Sequence, residues 1–101
     1  MRAMLESVNG VLRGLSSGDR AAAEKAARAA GLATAADVQP EVKRALPPPF
    51  LSLGMQTHRA FDRLADELRG GASGEAVLTT LAEVTSLCVA CHAAYRLDAA
   101  P

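Results

Sequence analysis

Apolar residues recur at alternating steps of three and four in several stretches of the chain, the spacing that gathers them on one face of an α-helix. Met1, Met4, Leu5, Val8, Val11, Leu12 and Leu15 form the first such stripe, with Arg2, Glu6, Asn9 and Arg13 between them. This predicts an amphipathic helix over residues 1–15 rather than a secretory leader, which would open on a basic segment followed by an apolar block. Ser16-Ser17-Gly18-Asp19 interrupts the period. Asp19 is placed to cap a shorter helix over residues 20–30, which Gly31 would end. Alanine dominates the inward face of that second helix, so a neighbouring helix or a flat ligand can approach closely while little transfer energy is gained.

Residues 32–49 turn to Ala, Thr, Pro and polar side chains and finish on Pro47-Pro48-Pro49, the composition of a stiff crossover linker. The helical period resumes over residues 50–69 through Leu51, Met55, His58, Phe61, Leu64, Ala65 and Leu68, and Gly70-Gly71 closes it. Ser73 or Gly74 opens the last helix, where Val77, Leu81, Val84, Cys88, Cys91 and Tyr95 continue a single seam. No segment alternates with the period of two that a half-buried strand shows. The expectation is an all-α chain folded as an antiparallel four-helix bundle, with residues 1–101 forming a single domain.

Eleven Lys and Arg stand against eleven Asp and Glu in the 101 residues, a formal net charge of zero, so the basic excess of a nucleic-acid binder is lacking. Half of the residues are hydrophobic, yet only Phe50, Phe61 and Tyr95 are aromatic. A short core of Ala and Leu buries little area, which leaves an interior for something other than side chains to fill. Charged residues interrupt the apolar runs, so a soluble protein with no membrane span or insertion is expected. There is no Gly-rich phosphate loop, no nucleophile turn and no pair of carboxylates on an apolar face, and no enzymatic activity is expected.

Cys88-Val89-Ala90-Cys91-His92 is the C-x-x-C-H sequence of c-type haem attachment. Residues three and four apart share a helix face, so the two thiols and the imidazole project together. The thiols can add across the two vinyl groups of one haem while His92 reaches the iron. Thiol–disulfide exchange instead expects the pair at a helix start after a strand, whereas this pair lies deep in a long helix. Structural zinc needs four ligands, and Cys88, Cys91, His92 and His58 are the only Cys and His present. Cys91 and His92, adjacent on one regular helix, would not easily both reach a tetrahedral ion.

With Tyr95 and Arg96 trailing it, the motif resembles the C-terminal helix of the cytochrome c-prime family of class II c-type cytochromes, and the four expected helices extend the resemblance over most of the chain. The chain is shorter than the family pattern, chiefly in its first two helices. The resemblance implies four antiparallel helices around one covalent haem c per chain, held by Cys88 and Cys91, with His92 as proximal iron ligand and Arg96 as a propionate or proximal-side contact. It also implies a bacterial periplasmic location, redox partner proteins and, in some members, a homodimer. Members either leave the second axial position open and bind small gases such as nitric oxide or carbon monoxide, or close it with a methionine from the first helix.

Met4 lies on the first stripe where such a methionine is expected, with Met1 one turn earlier as a second candidate; the alternative for both is plain core filling. His58, on an apolar stripe, is expected to bond to Thr57, Arg59 or Asp62, to meet a propionate, or to ligate the iron. Leu53-Gly54 is expected at a close helix contact, Phe61-Asp62 at the haem edge, and Arg63, Asp66, Glu67 and Arg69 on a solvated face. The functional expectation is a monohaem electron carrier. The alternatives are a five-coordinate gas binder and a redox module of a larger complex.

Overall fold

A computed structural model describes residues 2–35 and 38–95, and over them the chain is all-helical. Met1 and Arg96 therefore lie outside the described residues. The elements are α1 (Arg2–Ser17), α2 (Arg20–Arg28), α3 (Leu32–Ala35), α4 (Pro40–Ala45), α5 (Pro48–Arg69) and α6 (Gly74–Ala94).

Local chemistry sets most of these limits. The hydroxyls of Ser16 and Ser17 each donate to the Arg13 carbonyl at 2.9 Å and carry α1 one half-turn past its expected end. Gly18, at φ +75°, then stops it in the left-handed conformation that glycine adopts without strain. Asp19 caps α2 as expected, its carboxylate accepting from the Ala22 N–H at 3.0 Å, and Ser73 caps α6 by accepting from the Ala76 N–H at 3.1 Å. Gly31 serves a different purpose from the helix stop assigned to it. α2 has already ended at Arg28, and a Cβ on Gly31 would collide with the Asp62 carboxylate, so glycine here lets the chain pass close to α5.

The crossover is more ordered than its composition suggests. It holds α3 and α4, and the proline run starts α5 at Pro48. Both α4 and α5 carry proline in their first turn, where the absent N–H would find no helical partner anyway and the ring presets φ.

α1, α2, α5 and α6 pack in chain order, each against the next, and α3 lies on α5. Successive helices of this array run antiparallel. Gly10 faces Ala26 and Gly14 faces Ala23, so close that a Cβ added at either would lie 2.6 or 2.7 Å from the alanine Cβ. The alanine face of α2 thus permits the close approach expected of it. Arg20, opening α2, donates to the Leu68 carbonyl in the last turn of α5 at 3.2 Å and to the Ala72 carbonyl in the α5–α6 turn at 2.8 Å. Arg28, closing α2, pairs with Asp62 at 2.9 Å and Asp66 at 2.6 Å. Between α5 and α6, the Thr80 hydroxyl donates to Glu67 at 2.7 Å and Arg63 pairs with Glu83. Glu67 is thereby drawn in, half-buried, from the solvated face expected for it.

Val11, Ala23, Ala27, Phe61, Leu64, Ala65, Val77 and Val84 are fully buried and form the core. They occupy the half of the array nearer the α1–α2 and α5–α6 turns. Toward the other end, Met4, Val8 and Leu87 are only partly covered, and α1 and α6, the outer members, do not close tightly on each other. α6 departs from the expectation about apolar runs. With only Glu75 and Glu83 as charges it is long and apolar enough to cross a membrane, by length and composition alone. In the fold it is a core helix on one side, burying Val77, Thr80, Leu81 and Val84.

Candidate functional site

The motif lies in regular helix. α6 runs unbroken through Cys88 and His92, and the Tyr95 N–H ends it on the Cys91 carbonyl at 2.8 Å. The antiparallel array sets the first two turns of α1 beside the last turns of α6. Between them is a cleft of about 410 Å³, walled by Met4, Leu5 and Val8 from α1 and by Cys88, Val89 and His92 from α6, with Arg2 and Thr85 completing its lining. That size lies within the range of small-molecule sites.

Three of the expected site residues, Met4, Cys88 and His92, therefore share one apolar cleft. Cys91 is half-buried nearby but does not line it. Neither cysteine is in a disulfide. Burial pushes the Cys88 thiol pKa up and the neighbouring Cys91 adds to the shift, so the group is a neutral thiol at pH 7. Sequence reasoning did not single out Arg2 or Thr85, whose place in the cleft depends on how α1 and α6 are registered.

Gly54 belongs to the same inward stripe of α5 as Phe61, two turns earlier. The close helix contact expected there is not found. A Cβ on Gly54 would meet nothing within 4 Å, although the residue is half-buried. Phe50 and Tyr95 join the start of α5 to the end of α6 through an edge-to-face contact, with ring centroids 5.2 Å apart.

His58 sits apart from the cleft lining. Its Nδ1 lies 2.7 Å from the Ala30 carbonyl oxygen. A carbonyl only accepts, so Nδ1 carries the proton. Two of the partners expected for it are committed elsewhere: the Thr57 hydroxyl donates to the Leu53 carbonyl at 2.8 Å, and Asp62 accepts from the Leu32 N–H at 2.9 Å and from Arg28. His58 and Asp62 together hold the α2–α3 turn against α5. The pair Phe61-Asp62, expected at a haem edge, is thus divided between the buried core and this polar clamp.

Among the described residues no three His, Cys, Asp or Glu side chains converge as a metal-binding group, which leaves the zinc reading without a ligand set. A larger and more open groove of about 730 Å³ lies between α5 and α6, lined in part by Gln56, Arg59, Arg63 and Glu83, and it contains neither Cys nor His. The chemistry of the cleft fits a flat apolar group with two kinds of anchor. Its walls are apolar, α6 offers a thiol and an imidazole, α1 offers a thioether, and Gly54 leaves clear space in the same half of the array. Comparison with protein families, curated proteins and solved structures finds no match.

Proposed function

We propose that this chain is a monohaem c-type cytochrome that carries electrons, folded as an antiparallel four-helix bundle around one haem c and working in a bacterial periplasm. The observation that carries this reading is the meeting of Met4, Cys88 and His92 in one apolar cleft. Cys88 and Cys91 would hold the group by thioether bonds, and His92 and Met4 would hold its iron. When bound, the haem supplies a one-electron couple that no side chain here can provide.

The rest of the work falls to the chain. With Met4 of α1 and His92 of α6 both holding the iron, no site would be left for a gas, which suits transfer of electrons. Leu5, Val8 and Val89 give the cleft apolar walls against which the flat faces of the group would lie. Arg2 offers a cation at the cleft for anionic side arms, a role for which the sequence suggested Arg96. His58, through Ala30, positions α5 against the α2–α3 turn without entering the cleft.

The test is the absorption spectrum of the ferric protein after expression with a c-type maturation system. A near-infrared methionine-to-iron charge-transfer band is expected, and Met4→Ala should remove it and give a high-spin spectrum. A high-spin spectrum in the unaltered protein would overturn the electron-carrier reading in favour of gas binding.

A further inference from the structure

The cleft between α1 and α6 gathers soft donors and no hard ones. Met4 brings a thioether from α1, and Cys88 and His92 bring a thiol and an imidazole from α6. No Asp, Glu, Asn or Gln lines the cleft, and its one hydroxyl, that of Thr85, donates to the Ala82 carbonyl at 3.1 Å. Nothing there suits calcium or magnesium, which bind oxygen. Zinc is served no better, since it takes four ligands and a thioether is not among its usual ones. Cys88 and His92 stand four residues apart on unbroken helix, so they are neighbours on one face. Met4, unbranched and with three rotatable bonds, is the adaptable donor on the opposite wall.

Charge narrows the choice of ion. Arg2 is the only Lys or Arg in the lining and the remaining walls are apolar, so a bound unit carrying positive charge would be disfavoured. A monovalent ion on one thiolate is neutral. We propose that the haem-free chain binds one Cu(I) ion in this cleft, through the sulfurs of Met4 and Cys88 and a ring nitrogen of His92. Thiolate and thioether sulfur select Cu(I) over harder divalent ions. On binding, the Cys88 thiol proton passes to solvent and a copper–sulfur bond takes its place, so neither copper nor sulfur changes oxidation state. Cys91 lies outside the lining and is not a ligand of this site. Cys88 cannot serve a haem as a thioether and copper as a thiolate at once, so the two occupants exclude each other. The copper site rests on the lining of the cleft and not on the haem reading.

The test uses the full chain expressed without a maturation system, reduced, and titrated in the absence of oxygen with Cu(I) held by bicinchoninate, with circular dichroism as the check on folding. Haem attachment plays no part in it. Uptake of one copper per chain is expected. Cys88→Ser should weaken binding by at least about a hundredfold, and His92→Ala and the volume-conserving Met4→Leu by at least about tenfold each. Cys91→Ser should leave the affinity nearly unchanged. Failure of the unaltered, folded chain to take up copper would overturn the proposal. So would uptake that Cys88→Ser and Cys91→Ser weaken equally and Met4→Leu leaves untouched, because the two thiols of α6 would then hold the ion without α1.

Discussion

Phe61 and Gly54 stand two turns apart on one stripe of α5 and meet opposite surroundings. Phe61 is wholly buried among Val11, Leu64, Val77 and Val84 in the closed half of the array. Gly54 faces open space in the other half, where Met4, Val8 and Cys88 are only partly covered. The same four helices thus build a packed core at one end and leave it unfinished at the other. Residues near the α1–α2 and α5–α6 turns supply stability, and the opposite end retains apolar surface and reactive side chains. A fold that departs from full packing in one confined region commonly does so where it functions.

The contrast yields an ordered set of expectations. The largest effect is expected in the closed half, where Phe61→Ala should lower unfolding free energy by about 3–5 kcal/mol in chemical denaturation. Gly14→Ala comes next. Alanine is the better helix former by about 1 kcal/mol, but the new Cβ would meet both the Cβ and the backbone N of Ala23, and overpacking of this kind costs about 1–3 kcal/mol. A net destabilisation is predicted, whereas a gain would show that α1 and α2 are more loosely joined than their geometry indicates.

Gly54→Leu should have the opposite sign in the haem-free protein. The side chain has room, and helix propensity alone favours the change by about 0.5–1 kcal/mol. In protein matured with haem the same substitution should lower haem content, because the space is then contested. Leu5→Ala, at a side chain 69% exposed, should change the unfolding free energy of the haem-free protein by no more than about 0.5 kcal/mol. A cost near that of Phe61→Ala would erase the distinction between the two halves.

The smallest effect is one of pH. The folded haem-free protein raises the Cys88 thiol pKa, so above the ordinary thiol range it holds a proton that the unfolded chain has released. Stability from this source is full below that range and is lost as pH rises toward the folded-state value. Cys88 is only half-buried, which keeps the effect small. Urea midpoints should decline through this window, and Cys88→Ser should flatten part of the decline.

Much of this arrangement was legible in local patterns. Asp19 and Ser73 announced two helix starts because capping is a contact across three residues. The stripes placed Met4 and Cys88 on inward faces, and the C-x-x-C-H spacing singled out Cys88, Cys91 and His92. What stayed hidden depends on contacts between distant segments. His58 finds its partner 28 residues away at Ala30, Glu67 is drawn in by Thr80, and Gly31 is needed because Asp62 arrives against it. Leu5 and Leu12 read as ordinary members of an apolar face, since periodicity records which face a residue shares and not whether a neighbour covers it. Pro47-Pro48-Pro49 misled for a different reason. Proline obstructs a helix interior but favours a first turn, and composition does not distinguish the two positions.

The central claim is that the cleft between α1 and α6 holds one haem bound through the cysteines of α6. Intact mass under denaturing conditions, after co-expression with a c-type maturation system, tests it most directly. The account predicts the mass of the chain plus a single haem, reduced to that of the chain alone when Cys88→Ala and Cys91→Ala are combined. A bare polypeptide mass for the unaltered chain, from cells in which a control c-type cytochrome is loaded, would contradict it.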